Sequence, residues 1–473
     1  MGAIAETLAG FAVEMEAAAI PASVRERAVL HLADALGCGI AAVGLGAVPQ
    51  ASELAWKQGG RGEASLIGPG PKVPAAQAAL ANGTRCHALD FDDTHEEGIC
   101  HSSVVVGPAA LAAAEATAAS GEELVTAYVL GSEVALRIAV AIADELYQRG
   151  FHPTSVCGAF GAAAAAARLF GADSAAAANA LGIVGSFAAG LFEYLSDGSA
   201  TKPLHAGWAA QAGIQAARLA AAGATGPATV IEGRFGLLAS HAERAADEAR
   251  KIVAGLGERW EFEGLAVKLY PACHFAHAST WAAGALADEH GLAPADIERI
   301  VVRVPAEGAR LVLEPLAEKR TPKTPYDAKF SLPYTAAHRI VRGSLGLAAF
   351  TEAAIADPDV LALAARVDAE PLGAEAAEAS RFCGGARLRT TDGRELDRFL
   401  AAPPGSPAMP VGPEEVWAKF RANVGLALPE ASAEHLAAAL AGIDAARRLD
   451  PIVAGLAWAR PGTRGARSAG RLA

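Results

Sequence analysis

The chain has 473 residues, of which 52% are apolar and 19% charged, and its net charge is −12. That length exceeds what one hydrophobic core usually holds, so two domains are expected, and the composition excludes a disordered chain. The acidic balance argues against nucleic acid or an anionic membrane surface as partner, and a small anionic ligand requires a local cationic pocket.

The first residues, Met1-Gly2-Ala3-Ile4-Ala5-Glu6, show no basic segment of a secretory signal, and Glu6 stands where a myristoylation site needs Ser or Thr. The six cysteines, Cys38, Cys86, Cys100, Cys157, Cys273 and Cys383, form no C-x-x-C pair. Reduced thiols and a cytoplasmic protein are the expectation. Residues 1–265 read as a succession of helices. Ser23-x-x-Glu26 is expected as a capping box, and Ser120-Gly121-Glu122-Glu123 starts another helix. Ser174–Leu191 is charge-free and nearly long enough to span a bilayer, but its small residues favour a buried helix over a membrane span.

The pattern changes after Phe262. Ile297–Pro305 alternates and is β-branched, which predicts a strand. Residues 386–396 predict a hairpin on the Asp392-Gly393 turn. Leu361–Val367 is expected to add a strand, and helices are expected at His274–Glu289 and Tyr334–Val341. Residues 401–407 form a Pro-rich linker, after which helix returns at Pro413–Asn423 and Ser432–Leu449. The fold class predicted is mainly α: a large all-helical domain (1–265 and 404–459) with an inserted smaller α+β lid domain (266–403). A basic tail, 460–473, is expected to be disordered.

Asp90-Phe91-Asp92-Asp93-Thr94-His95, followed by Glu96, Glu97, Cys100 and His101, places five carboxylates and two imidazoles within twelve residues. Burying so many ionisable groups is costly unless they are paired. They have the donor types for a divalent cation. A magnesium-diphosphate site of the prenyl-transferring kind needs a second acidic motif, which is absent from the sequence, and the cysteines are too scattered for an iron–sulfur cluster. Metal-free acid–base chemistry has its own candidates. His152 opens the helix after Phe151, where an imidazole tends to stay neutral. Lys202 opens another, where an ammonium and a helix N-terminus attract a carboxylate. Lys268–His277 repeats the arrangement at the start of the lid. Among the remaining histidines, His95, His205 and His274 also sit at element ends; His31, His87, His241, His290, His338 and His435 read as surface or satisfied core residues. Singly, each candidate is more often structural: a solvated acidic loop, a capping imidazole, a turn lysine, a core histidine.

An ordered series of segments resembles the MmgE/PrpD family, whose members include 2-methylcitrate dehydratase and cis-aconitate decarboxylase. The series is Asn82-Gly83 leading into Asp90–His95, Gly150–Thr154, Thr201–Gly207, Glu232–Gly236, Tyr270–Cys273 and Asp327–Tyr334. The resemblance implies a helical domain built from both chain ends, an inserted lid, a homodimer, a site in the cleft between the two domains, and no metal or organic cofactor. It carries Asp90, Thr94, His101, His152, Lys202, His277 and Tyr334 into the site. The expectation is a lyase, a dehydratase or decarboxylase, acting on a small di- or tricarboxylate. Lys202 would hold carboxylates, His152 or His277 would move a proton at carbon, and Asp90 would orient an imidazole. Thr94 would bind substrate and Tyr334 donate a proton. His101 joins the catalytic set. His274 is expected at the substrate, and Phe160, Phe192, Tyr194 and Cys273 on the pocket wall. Two alternatives stand beside this one: an epimerase of amino-dicarboxylate-like substrates and a carboxylate binder without turnover.

Overall fold

The computed structural model describes residues 2–242, 249–373 and 376–458; the basic tail lies outside them. The protein is mainly helical with a distinct α+β insert. Two hydrophobic cores account for this division. One joins Ile4–Leu265 to Phe420–Leu456 and the other is confined to Ala272–Leu388.

The helical core is rich in alanine, so its helices approach closely, and glycine sets the crossings. A Cβ on Gly131, in helix Gly121–Gln148, would lie 2.6 Å from the carbonyl oxygen of Gly161 in helix Pro153–Leu169. One on Gly207, in helix Lys202–Ala221, would lie 2.2 Å from the Leu80 carbonyl in helix Ala75–His87. Three of these four helices carry site residues at their ends, so close backbone approach sets where those side chains converge. Ser120 caps the Gly121–Gln148 helix reciprocally with Glu123, as expected. The Ser23 expectation is corrected: helix Ala22–Gly44 starts at Pro21, and Ser23 sits inside its first turn without capping it. The apolar stretch from Ser174 is helical only to Val184; residues beyond it turn back, and the Gly190 carbonyl accepts from the His152 amide. Helices Ala22–Gly44 and Gly121–Gln148 are long and apolar enough to cross a bilayer, and both pack mostly inside the helical core.

In the insert, strand Ile297–Arg303 pairs antiparallel with Gly384–Thr390, which pairs antiparallel with Glu395–Leu400 across the Asp392-Gly393 turn. The fourth strand, Val367–Ala369, runs parallel to the first. It begins where the expected strand ends: residues Pro358–Ala364 form a helix started by Asp357, whose carboxylate accepts from the Asp359 amide. Helix His277–Glu289 packs on the sheet and on helix Leu332–Arg342. Chain entry and exit lie side by side, with the Val267 amide donating to the Gly405 carbonyl at 2.9 Å. Helix Pro413–Val424 then packs back on Ala22–Gly44.

Candidate active site

A small cavity of ≈ 60 Å³ lies where the lid meets the helical domain, the kind of place between domains where small-molecule sites form. Its helical wall carries Asp90, Thr94, His101, His152, Tyr194 and Lys202, and its lid wall carries Lys268, Cys273, His274, Phe275 and Phe330.

The acidic loop is drawn to the lid by a two-residue antiparallel pairing, Thr94 with Ala266 and His95 with Leu265. Lys268 follows two residues later. Its Nζ donates to Asp90 Oδ1 at 2.6 Å, and Lys202 Nζ donates to the same oxygen at 2.9 Å. All three side chains are buried. Burial alone would raise the Asp90 carboxyl, but Lys202 and Lys268 hold it well below the usual carboxylate range. Burial opposes the Lys202 ammonium, yet Asp90 keeps its pKa well above the ordinary lysine value. Two ammonium groups therefore share one carboxylate, whose Oδ2 is buried without a hydrogen-bond partner. This local excess of positive charge fits an incoming anion.

Asp90 was expected to orient an imidazole; that task falls instead to Asp92. Its carboxylate lies 2.9 Å from His87 Nδ1 and 3.2 Å from His101 Nδ1. The two imidazoles hold Asp92 well below its usual range against the opposing effect of burial. His101 Nδ1 also lies 3.2 Å from Thr94 Oγ1, and the His101 amide donates to Thr154 Oγ1. His152 immediately precedes the Pro153–Leu169 helix without its side chain capping it, and its Nδ1 sits 3.2 Å from Nδ1 of His205. Burial, then neighbouring His87 and Lys202, push His152 well below the usual histidine value; burial takes His87 and His205 to about 4. These imidazoles are neutral at pH 7 and can accept a proton.

His87 stacks 5.8 Å from His152, with its buried Nε2 unpartnered. Helical text hid it: at the end of helix Ala75–His87 nothing marks it except five-residue spacing from Asp92. His87, His101 and His152 each offer one nitrogen within 4.8 Å of the others, a donor set a metal ion could use. That set overlaps the Asp/His-loop metal reading only at His101.

The structure places the other expected residues unequally. Thr94, His101, His152, Lys202 and His274 line the cavity, as do Phe192, Tyr194 and Cys273. His274 is buried with both ring nitrogens unpartnered and stacks on Phe382 at 4.5 Å. Phe160 is in the helical core. His277 lies behind His274, ring centroids 4.7 Å apart, with its Nε2 at 3.2 Å from the Ala272 carbonyl. Tyr334 is off the cavity wall: its hydroxyl donates to the Ala349 carbonyl within the lid core. The i, i+1 neighbourhood of the Asp327–Tyr334 segment gave no sign of that direction.

A helical domain and an α+β lid, closing over paired ammonium groups and neutral imidazoles, define a two-lobed cleft suited to a small carboxylate. The chain belongs to the MmgE/PrpD family: the family's N-terminal domain matches residues 6–249 and its C-terminal domain matches 270–444. It is similar to cis-aconitate decarboxylase of Homo sapiens, 33% identical over 317 residues, covering 64% of this chain and 63% of that protein's length. It is also similar to the cis-aconitate decarboxylases of Mus musculus, 28% identical over 452 residues (92% and 89% covered), and Aspergillus terreus, 29% over 269 (54% and 55%).

Proposed function

We propose that the protein is a metal-independent carbon–carbon or carbon–oxygen lyase for a small di- or tricarboxylate, with decarboxylation of cis-aconitate or a close analogue as the first reaction to test. The observation that carries this reading is the sharing of Asp90 Oδ1 by Lys202 and Lys268 on a cavity wall beside the imidazoles of His101 and His152. The names of the relatives favour decarboxylation over dehydration of the 2-methylcitrate type.

In this proposal substrate carboxylates bind at Lys202 and Lys268, and Thr94 donates a hydrogen bond to one of them. Bound negative charge raises the proton affinity of His152, which then carries a proton. The C–C bond to one carboxylate breaks and CO2 leaves. The released electron pair moves into the conjugated alkene–carboxylate system, where the ammonium groups stabilise it. His152 or His101 delivers its proton to carbon and is reprotonated from solvent. In a dehydration the same imidazole would instead remove the carbon-bound proton as hydroxide leaves. His274 takes the lid-side role expected of His277, and Tyr334 takes none.

Neutral imidazoles on both walls, His152 and His274, also favour a second reading, two-faced proton exchange in an epimerase. An assay with cis-aconitate, citrate and 2-methylcitrate, following CO2 release and alkene absorbance in the presence and absence of a chelator, tests the proposal. Turnover without metal dependence is expected. Loss of turnover on chelation would move the reaction to the His87–His101–His152 donor set; tight binding without turnover would leave a binder.

The protein is further proposed to be a cytoplasmic homodimer. All six cysteines are buried free thiols. Leu54, Leu191, Leu204 and Trp208 are exposed around one groove that shares Tyr194 and His205 with the region of the site, an apolar patch of the kind that marks an interface. Light scattering at micromolar concentration would show a mass twice that of the chain.

A further inference from the structure

Three consecutive main-chain carbonyls beside the cavity each accept a hydrogen bond from a different lysine. Lys329 Nζ reaches the Leu89 oxygen at 2.7 Å, Lys268 Nζ the Asp90 oxygen at 3.1 Å, and Lys419 Nζ the Phe91 oxygen at 2.6 Å. The donors come from three distant segments: the start of the lid, the lid helix Pro325–Lys329, and the return helix Pro413–Val424.

Each lysine has a second anchor. Lys268 donates to Asp90 Oδ1, as described. Lys329 donates to the Pro271 carbonyl at 2.8 Å, so its amino group joins lid to helical domain. Lys419 pairs with Asp34 at 2.7 Å and lies 3.9 Å over the Phe91 ring. Lys329 has no carboxylate partner among the described residues; its hydrogen bonds go to carbonyls, and its amino group lies 4.4 Å over the Phe350 ring. Burial lowers its pKa to about 7. An amine retains two N–H groups, enough for both carbonyls, so the contact survives either protonation state.

The residue at the centre is strained. Asp90 has φ +52°, in the left-handed region that non-glycine residues seldom adopt. Such a conformation persists only where the surroundings over-determine it, and it clusters at functional sites. Neither Lys329 nor Lys419 lines the cavity, so neither can touch a substrate held there.

We propose that Lys329 and Lys419 are positioning residues acting through Asp90: they hold the Leu89–Phe91 turn in its left-handed form, so that Asp90 offers one oxygen to Lys202 and Lys268 together. The lid-borne Lys329 makes that geometry conditional on the lid lying against the helical domain. The activity readout rests on the carboxylate-lyase reading above; the structural readout does not.

The test uses Lys329→Met and Lys419→Met in the full chain, alone and combined with Asp90→Asn. In crystal structures of the single variants, Asp90 is expected to leave the left-handed region and to lose one ammonium contact. With cis-aconitate, kcat/KM is expected to fall roughly 10²-fold, as for a small misplacement of a binding group. In the Asp90→Asn background the same substitutions should cost little more, because the residue they act through is already altered. An Asp90 turn unchanged in the variants, or losses that add fully to that of Asp90→Asn, would overturn the proposal. Should Lys329→Met not fold, Lys419→Met carries both readouts. If the wild-type protein turns over none of the substrates, the variant structures still decide the clamp, and the lyase reading falls separately.

Discussion

The imidazoles of His152 and His205 meet Nδ1 to Nδ1 at 3.2 Å. Two ring nitrogens at that distance can share one proton but cannot both carry one without repulsion, so one ring donates and the other accepts. His152, which lines the cavity, is thereby held in a fixed orientation. His205→Phe removes the partner while keeping bulk. We expect kcat to drop by roughly tenfold or more with a smaller change in KM, since the loss is of orientation and not of substrate binding. Steady-state kinetics across pH check this; unchanged kcat would show that the pairing has no catalytic role.

His152→Ala removes the proposed proton carrier itself. A loss of roughly 10²–10⁴-fold in kcat is expected, the ordinary range for a general acid or base. Equal loss on His101→Ala would show the two imidazoles working as a unit; retention of activity in either variant assigns proton transfer to the other.

Asp90→Ala leaves two buried ammonium groups facing each other without a counterion. Breaking a buried ion pair in this one-sided way costs about 3–5 kcal/mol. Urea unfolding should show the loss, and Lys202→Met in the same background should restore part of it by removing one of the stranded charges. A stability unchanged by Asp90→Ala would mean that the ammonium groups are solvated after all.

The pH dependence of stability follows from the buried histidines. His87, His95 and His205 have pKa values lowered by burial to about 4, below the unfolded-state value of about 6.5. Between those values the unfolded chain binds protons that the native one refuses, so stability rises with pH across that window. Asp90 and Asp92, depressed in the folded state, add stability that is lost only at more acidic pH as they protonate. The melting temperature should therefore fall steeply as pH drops from about 6.5 toward 4. A profile flat down to pH 4.5 would contradict neutral burial of these rings.

Gly161→Ala places a Cβ 2.4 Å from the Gly131 carbonyl oxygen, at the crossing of two core helices, and backbone cannot rotate away as a side chain does. The helices must separate, at a cost of about 1–3 kcal/mol. The same displacement moves His152 at the head of the second helix. A lowered urea midpoint together with lowered kcat is expected.

How much of this could be read from the chain differs element by element. The Ser120 cap, the Ile297–Arg303 strand and the Asp392-Gly393 hairpin are local features, written in neighbouring residues, and their positions follow from periodicity and turn chemistry. Pro358–Ala364 became helix because Asp357 and Pro358 start one there, a local signal outweighed in the sequence by the apolar run behind it. The site was legible as a list of residue types at helix entrances, and the family resemblance joined them into one expectation.

Direction and pairing were not legible. The carboxylate of Asp90 and that of Asp92 stand two residues apart, yet one faces two lysines and the other two imidazoles. Nothing local distinguishes them; the left-handed turn at Asp90 does, and carbonyl contacts from residues 268, 329 and 419 surround it. The sequence alone determined helical content, the inserted sheet and the kinds of group available for chemistry, because these depend on spacing along the chain. Only the tertiary structure decided that His87 packs against His101 and His152, that the Tyr334 hydroxyl turns to the Ala349 carbonyl, and that Lys268 shares Asp90 with Lys202, because each of those outcomes depends on which distant part of the chain a buried side chain meets.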